Sequence, residues 1–189
     1  MSPQHLPLAA ALAEYARRHP EERLQVEDFR RFLASSAEVF RREHAVGHFT
    51  GSAWVVSADG ARVLLMHHRK LGRWLQLGGH ADGDPDLERV ALREAEEESG
   101  LDGLRLEGPI LDIDRHRIPA RGDEPEHWHY DVRYVVRATA GEACEANAES
   151  LALAWRPVEA LAADPGADAS IRRMAQKFLA RVRGENEEE

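Results

Sequence analysis

Three glutamates near the middle of the chain have the spacing of a metal site. Glu94, Glu97 and Glu98 are separated by three and four positions, so a helix would bring their carboxylates onto one patch. All-oxygen ligation of this kind suits Mg²⁺ or Mn²⁺, and Mg²⁺ commonly bridges from carboxylates to substrate phosphates. The alternative is a solvated helix face, because glutamate is a good helix former.

The same patch breaks two local rules of helix stability. Like charges four residues apart cost about 0.2–0.5 kcal/mol. Carboxylates in the last turn of a helix also oppose its dipole, at about 0.3–1 kcal/mol each at low salt. Pairing of Arg93 with Glu96 or Glu97 would offset part of this cost, and a bound cation would remove the repulsion. Because sites that break local rules are often functional, these costs favour the metal interpretation.

The residues on both sides extend this pattern into a longer motif. Gly79 is followed after five residues by Pro85, and after seven more by the run Arg93-Glu94-Ala95-Glu96-Glu97-Glu98-Ser99-Gly100-Leu101. This arrangement resembles the Nudix box, Gly-x5-Glu-x7-Arg-Glu-U-x-Glu-Glu-x-Gly-U, in which U is an aliphatic residue. The spacing agrees from end to end, and one fixed position differs, because Pro85 replaces the first glutamate.

The resemblance implies a fold and a chemistry. Nudix enzymes typically hydrolyse a nucleoside diphosphate linked to another group, on an α/β/α sandwich. Bound cations reverse the local charge, polarise a phosphoryl oxygen and lower the pKa of an attacking water. Carried over residue by residue, the motif implies that Mg²⁺ or Mn²⁺ is bound by Glu94, Glu97, Glu98 and the Gly79 carbonyl, with Arg93 orienting the glutamates.

The general base stays open among three carboxylates. Glu97 or Glu98 would serve if metal does not saturate it. Glu149 lies in the loop ahead of residues 151–155, where the family often has an acid. An exposed loop glutamate with no role is an equally good interpretation of Glu149.

Pro85 also bears on where the helix begins. Asp82-Gly83-Asp84 resembles the family's acidic turn shortened by one residue. Asp84 would either take over the role of the missing glutamate or cap the helix, with Pro85 at the first helical position. We favour the cap.

Histidines and basic residues are candidates for substrate contacts. His80 directly follows Gly79 and is expected near the metal site. Residues 127, 129, 131 and 133 would alternate on one face of a strand, which either contacts substrate or, more simply, is solvated. A histidine zinc site is less favoured, since spacing alone fixes no ligand set. The candidate substrate contacts are His80, Arg69, His127, His129 and Arg117, with Lys70 and Arg115 as further basic residues.

A mixed α/β fold is expected to position these residues. Apolar residues at three- and four-residue steps predict two helices before residue 45, the first ending at His19-Pro20 and the second including Val26 to Phe40. Asp59-Gly60 signals a hairpin between strands at Ser52–Val56 and Arg62–Met66. Further strands are expected near 103–114, 127–138 and 150–156, and a last helix near 168–183. We therefore predict an N-terminal α-helical extension (1–45), a Nudix domain with a mixed β-sheet (46–183) and an acidic tail (184–189).

Charge and composition limit the partners. The 189 residues carry a formal net charge of −9, which disfavours nucleic acid as a partner. Eight acids and two bases lie between Asp82 and Glu98, so much of the acidity indicates a cation site. Neither a signal peptide nor a membrane helix is recognisable, which predicts a cytoplasmic protein without a membrane partner. The N-terminal helices would either cover one end of the domain or form a homodimer.

The leading hypothesis is a Mg²⁺-dependent hydrolase that cleaves the diphosphate linkage of a nucleoside diphosphate derivative with metal-activated water. An enzyme similar to isopentenyl diphosphate isomerase is one alternative, but that chemistry relies on a catalytic cysteine, and Cys144 lies in a Gly/Ala/Glu loop. A non-catalytic nucleotide-binding or regulatory Nudix module is the other. Pro85 keeps that alternative open, whereas the intact Arg93 and glutamates argue against it.

Overall fold

A mixed β-sheet organises the part of the chain that the computed structural model describes, residues 3–122, 125–148 and 150–187. Within these ranges the helices are α1 (Leu6–Arg18), α2 (Arg23–Ser35), α3 (Leu87–Ser99), α4 (Val158–Ala163) and α5 (Ala169–Glu187). The strands are β1 (Gly47–Val56), β2 (Arg62–His68), β3 (Arg73–Leu75), β4 (Leu77–His80), β5 (Leu104–Ile118), β6 (His127–Ala138) and β7 (Ser150–Pro157).

The sheet has the order β3-β2-β1-β6-β5, with β4 paired to β1 and β7 paired to β2. The β1–β6 pair is parallel and the other pairs are antiparallel. The predicted hairpin at Asp59-Gly60 is confirmed, but β1 and β2 pair only at Val56 and Val63 before they separate. Strand β1 then pairs with β4, which carries the first residues of the motif, so the central strand and the motif are directly joined.

Helices cover both faces of the sheet, as an α/β/α sandwich requires. One core joins α1, α2 and α3 to the sheet, and the other joins α4 and α5 to its opposite face. Gly51 of β1 allows α3 to approach closely, because a Cβ there would lie 2.9 Å from the Leu87 carbonyl oxygen and 3.0 Å from Val90 Cγ1. The predicted fold class is therefore confirmed, including the N-terminal helices.

The N-terminal helices pack against the sheet. Leu12 and Phe29 belong to the same core as the central strand, and the side chains of Arg18 and Gln25 donate to the backbone carbonyls of Ile110 and Ile113 in the edge strand β5. The first helix ends before Pro20 as predicted. The second was predicted too long: α2 ends at Ser35, and the extended Ser36 breaks the helical path.

The start of α3 corrects the predicted cap. Asp86 is the N-cap, and its carboxylate accepts a hydrogen bond from the Arg89 backbone N–H at 3.1 Å. Pro85 thus precedes the cap instead of opening the helix. Asp84 instead accepts a hydrogen bond from the Asp86 backbone N–H and pairs with the Arg89 guanidinium. These contacts stabilise the loop that leads into the helix. At the other end, Gly100 closes the helix with the positive φ of 65° that glycine tolerates well.

The last helix is longer than its apolar pattern predicts. Helix α5 continues to Glu187, so the first residues of the predicted acidic tail are helical. Across the described residues, the helices are all too short or too polar to cross a membrane.

Candidate functional site

Two carboxylates of the motif, those of Glu98 and Glu94, lie against strand β4 at Gly78 and Gly79. Glu98 is buried, and its Oε2 accepts a hydrogen bond from the Gly78 backbone N–H at 2.8 Å. A Cβ at Gly78 would overlap Ser52 Oγ, and a Cβ at Gly79 would overlap the Glu94 carboxylate. Gly78 therefore lets β4 approach β1 closely, and Gly79 lets the acidic helix approach β4.

Arg93 connects the helix to the strand. Its Nη2 donates to the His80 backbone carbonyl at 3.0 Å and to Glu94 Oε1 at 2.9 Å. The predicted partners were Glu96 or Glu97, so the ion pair is made with a different glutamate. Because one guanidinium binds both the carboxylate and the strand, Arg93 fixes the position of Glu94 relative to Gly79.

The three glutamates of the motif lie in different environments. Glu94 is half-buried, Glu98 is buried and Glu97 is exposed. Burial raises the pKa of the Glu94 carboxyl, Arg93 lowers it in part, and the nearby Glu97 and Asp82 raise it further. A bound cation would stabilise the charged form of this half-buried carboxylate, which Arg93 offsets only in part. Carboxylate oxygens are donors of the kind that Mg²⁺ and Mn²⁺ prefer.

Behind the glycines, the polar face of β6 is buried. Thr50 and Ser52 each donate a hydroxyl hydrogen bond to Asp131 Oδ1 at 2.8 Å, and Arg133 Nε donates to Asp131 Oδ2 at 2.7 Å. Arg133 also donates to Asp112 Oδ2 at 3.0 Å, with only 3% of its side chain exposed. The interpretation of this face as solvated is therefore wrong, because His127, Asp131 and Arg133 are each no more than 5% exposed.

Helix α5 completes this buried network with two cations. Arg173 Nε lies 2.9 Å from Asp112 Oδ1, and Lys177 Nζ lies 2.6 Å from the same oxygen. Burial alone would raise the pKa of Asp112, but the hydrogen bond from Arg173 and the charge of Arg133 hold it below its usual value. The apolar period of α5 predicted the helix but not the inward direction of these two side chains.

The other predicted contacts are spread over the surface around the site. Arg69 donates to the backbone carbonyls of Ala148 and Ser150, each at 3.0 Å, so it supports the start of β7. Arg117 is exposed and lies 3.3 Å from Glu126. Glu149 lies outside the described residues. Arg69 and Arg117 thus stay predicted substrate contacts, with the protein contacts just given.

Five histidines form a cluster beside Gly79, and the sequence pattern identified only part of it. The ring of His48 lies 4.9 Å from that of His80 and 4.7 Å from that of His129, centroid to centroid. His127 and His116 contact the ring of His129. His48 was missed because the predicted strand began at Ser52, although alternation with the polar Thr50 and Ser52 would have placed all three on one face.

Comparison with known proteins agrees with the motif. Residues 48–178 match the family model of the NUDIX domain. A curated relative in Mycobacterium tuberculosis strains CDC 1551 / Oshkosh and ATCC 25618 / H37Rv, named "Putative 8-oxo-dGTP diphosphatase 3", is 34% identical over 126 residues. The match covers 61% of this chain and 55% of the relative, so the chain spans about half the length of the curated relative.

Two solved structures have the same architecture. A NUDIX-family hydrolase from Clostridium perfringens is 28% identical, with a TM-score of 0.56, over 71% of this chain and 97% of that one. An Ap4A hydrolase from C. elegans is 17% identical, with a TM-score of 0.57, over 72% of this chain and 98% of that one. At its low identity, the second match supports the fold alone.

Proposed function

The chain belongs to the Nudix family, and from that premise we propose that it hydrolyses a diphosphate linkage in a nucleoside diphosphate derivative, with Mg²⁺ or Mn²⁺ held by the motif. The observation that carries the proposal is the Glu94 carboxylate, which occupies the space a side chain at Gly79 would fill and is bound there by Arg93. A carboxylate confined in this way beside two more glutamates is suited to bind a cation.

The ligands we propose are Glu94, Glu97, Glu98 and the Gly79 carbonyl. When bound, the cation would polarise a phosphoryl oxygen and make a water more acidic. Arg93 would keep Glu94 oriented, and the Gly78 N–H would keep Glu98 oriented. These hydrogen bonds fix the geometry of the ligands before substrate arrives, as an outer layer of contacts does at other metal sites.

For the general base we propose Glu97. Glu98 is buried, with one oxygen bound to the Gly78 N–H, whereas Glu97 is exposed and has access to water. Exposure lets Glu97 accept a proton from the attacking water and pass it to solvent. Glu149 is the competing candidate, and a Glu149→Gln variant separates the two.

The name of the M. tuberculosis relative makes an oxidised deoxynucleoside triphosphate the first substrate to test. Since the match covers about half of that relative, the panel also includes normal deoxynucleoside triphosphates, ADP-ribose, nucleotide sugars, dinucleotides and prenyl diphosphates. Prenyl diphosphate isomerisation is the less favoured outcome. Cys144 is half-buried, and burial raises the pKa of its thiol, which disfavours the reactive thiolate.

Activity assays of three single variants test the proposal. We expect hydrolysis of at least one member of the panel to require Mg²⁺ or Mn²⁺ and to stop on addition of EDTA. Glu97→Gln and Glu98→Gln should each lower kcat by about 100-fold or more, because each removes a proposed ligand or base. Glu96→Gln is the matched control, since this exposed neighbour lies on the same turn outside the proposed set.

Two results would contradict the proposal. One is hydrolysis that persists in EDTA, and the other is full activity in both Glu97→Gln and Glu98→Gln. Absence of turnover with every substrate, combined with tight nucleotide binding, would favour the non-catalytic Nudix module. Homodimer formation and a cytoplasmic location stay predictions, and light scattering of the full chain tests the first.

A further inference from the structure

Three neighbouring strands bring histidines to the same end of the sheet. His48 of β1 is in register with His129 of β6, and His80 of β4 is in register with Thr50, two residues along β1 from His48. One donor atom from each of the three side chains lies within 4.8 Å of the others. The backbone pairing of β4, β1 and β6 therefore holds three imidazoles around one point.

His48 is the histidine that packing alone does not explain. It is 1% exposed, and among the described residues neither of its ring nitrogens has a hydrogen-bond partner. Its contacts with the other rings bury the imidazole but leave both nitrogens unsatisfied, which buried polar groups seldom are. Burial, followed by the charges of His80 and His127, lowers the pKa of His48 to about 3, so the ring is neutral at physiological pH.

His129 is held in an orientation that suits a ligand. His127 Nδ1 lies 2.9 Å from the Pro125 carbonyl oxygen, which only accepts, so Nδ1 carries the proton. His127 Nε2 lies 3.2 Å from His129 Nε2, so the two rings are joined by this contact. A ring held in this way loses little freedom when an ion binds. Burial lowers the pKa of His129 to about 2, which keeps that ring neutral.

We propose that His48, His80 and His129 bind a divalent transition-metal ion of the Zn²⁺ class, at a site separate from the glutamates of the motif. Imidazole nitrogen suits Zn²⁺, Co²⁺ and Ni²⁺, whereas Mg²⁺ prefers oxygen, so the two sites select different ions. In a tetrahedral site with Zn–N bonds of about 2.0–2.1 Å, the ligand nitrogens are roughly 3.4 Å apart. Small rotations of the three imidazole rings would bring their nitrogens to this spacing. The fourth position is left for water or an anionic group.

The location gives such an ion a consequence for the motif. His80 directly follows Gly79, whose backbone lies against the Glu94 carboxylate, and Arg93 binds the His80 carbonyl. An ion on His80 would fix the end of β4 to β1 and β6. The position of the glutamate site relative to the sheet would then depend on the occupancy of the histidine site.

Cobalt titration of the full chain tests this proposal without reference to hydrolysis. The protein is stripped with a chelator and titrated with Co²⁺ in a large excess of Mg²⁺, which occupies oxygen sites. We expect about one Co²⁺ per chain, with the visible absorption of nitrogen-ligated cobalt, and displacement by Zn²⁺. His80→Asn and His129→Asn should each weaken Co²⁺ binding by about 10-fold or more.

Two control variants make the result specific. His67→Asn removes a half-buried histidine whose ring stacks on Trp74 instead, so it should bind Co²⁺ like the wild type. Glu97→Gln should also retain the cobalt spectrum, which separates this site from the proposed hydrolytic one. Zn²⁺ should raise the Tm of the wild type but not of folded His80→Asn and His129→Asn.

Absence of Co²⁺ binding under excess Mg²⁺ would overturn the proposal. Equal Co²⁺ affinity in wild type, His80→Asn and His129→Asn would do so as well. Loss of the cobalt spectrum in Glu97→Gln would assign the ion to the glutamates and would also refute the separate site. Circular dichroism of each variant shows whether it is folded, and His80 and His129 are used because His48 is more deeply buried.

Discussion

Two clusters of acids, Asp112 with its partners and the glutamates of the motif, differ in how their charge is balanced. Asp112 contacts three cations, Arg133, Arg173 and Lys177, and its pKa is lowered although burial alone would raise it. Glu94 contacts Arg93, and burial raises its pKa. Three cations from the chain thus contact Asp112, whereas the contacts described for the Glu94 carboxylate include one cation, Arg93.

The difference indicates how to distinguish structural acids from functional ones. Removal of an acid that is fully paired inside the protein is strongly destabilising, because it leaves buried cations uncompensated. Acids that share one cation among several carboxylates cost stability until an ion binds. On this basis we interpret the Asp112 network as a structural link between the sheet and α5, and the motif as the proposed cation site.

The largest effect is expected at the balanced cluster. Asp112→Asn leaves Arg133, Arg173 and Lys177 with less negative charge in a buried site, and should lower the free energy of unfolding by about 3–5 kcal/mol. Urea denaturation measures this value. Asp28→Asn is the control, because its pairs with Arg31 and Arg115 are exposed and should contribute less than about 1 kcal/mol. Equal losses in both variants would contradict the account.

The next prediction concerns Gly79. In Gly79→Ala the new Cβ overlaps the Glu94 carboxylate, so the carboxylate must move and Mn²⁺ affinity should fall by about 10-fold. Titration with Mn²⁺ measures the change. Gly184→Ala is the control, because a Cβ there meets no atom within 4 Å. Unchanged affinity in Gly79→Ala would remove the observation on which the cation site rests.

The smallest effect is a pH dependence at Asp114, beside Asp112. Burial alone would raise the pKa of Asp114, but the hydrogen bond from His116 and the charges of Arg133 and Arg173 lower it. A lowered pKa stabilises the fold above the unfolded-state pKa of about 3.9, and this contribution is lost as the pH falls toward the folded-state value. The stability difference between wild type and Asp114→Asn should therefore be largest near pH 7 and shrink toward pH 3. A constant difference in urea denaturation across that range would argue against ionisation as the cause.

The sequence predicted the motif well because its residues are contiguous in the chain. Helical spacing alone relates Glu94, Glu97 and Glu98, and Gly100 ends the helix as expected. The error at the cap has a local cause, since Pro85 is flanked by an aspartate on each side and the wrong one was chosen. Helix α2 was predicted to extend to Phe40 because the apolar spacing continues that far. Phe40 is indeed buried, but it lies in a turn after the helix.

Residues that meet across the sheet could not be predicted in the same way. The buried network of Asp131, Arg133 and Asp112 is completed by Arg173 and Lys177, which come from α5 some forty residues later. His48 joins His80 and His129 only through the register of three strands. Alternation in one strand gives a face, but whether that face is buried depends on elements that the local pattern does not include.

Mn²⁺ binding, followed by electron paramagnetic resonance, tests the central claim most directly, because free and bound Mn²⁺ give distinct signals. The account predicts that wild type and Glu96→Gln bind Mn²⁺ equally and that Glu94→Gln and Glu97→Gln each bind it at least about 10-fold more weakly while staying folded. Equal Mn²⁺ binding by all four proteins would contradict the assignment of the glutamates as the cation site.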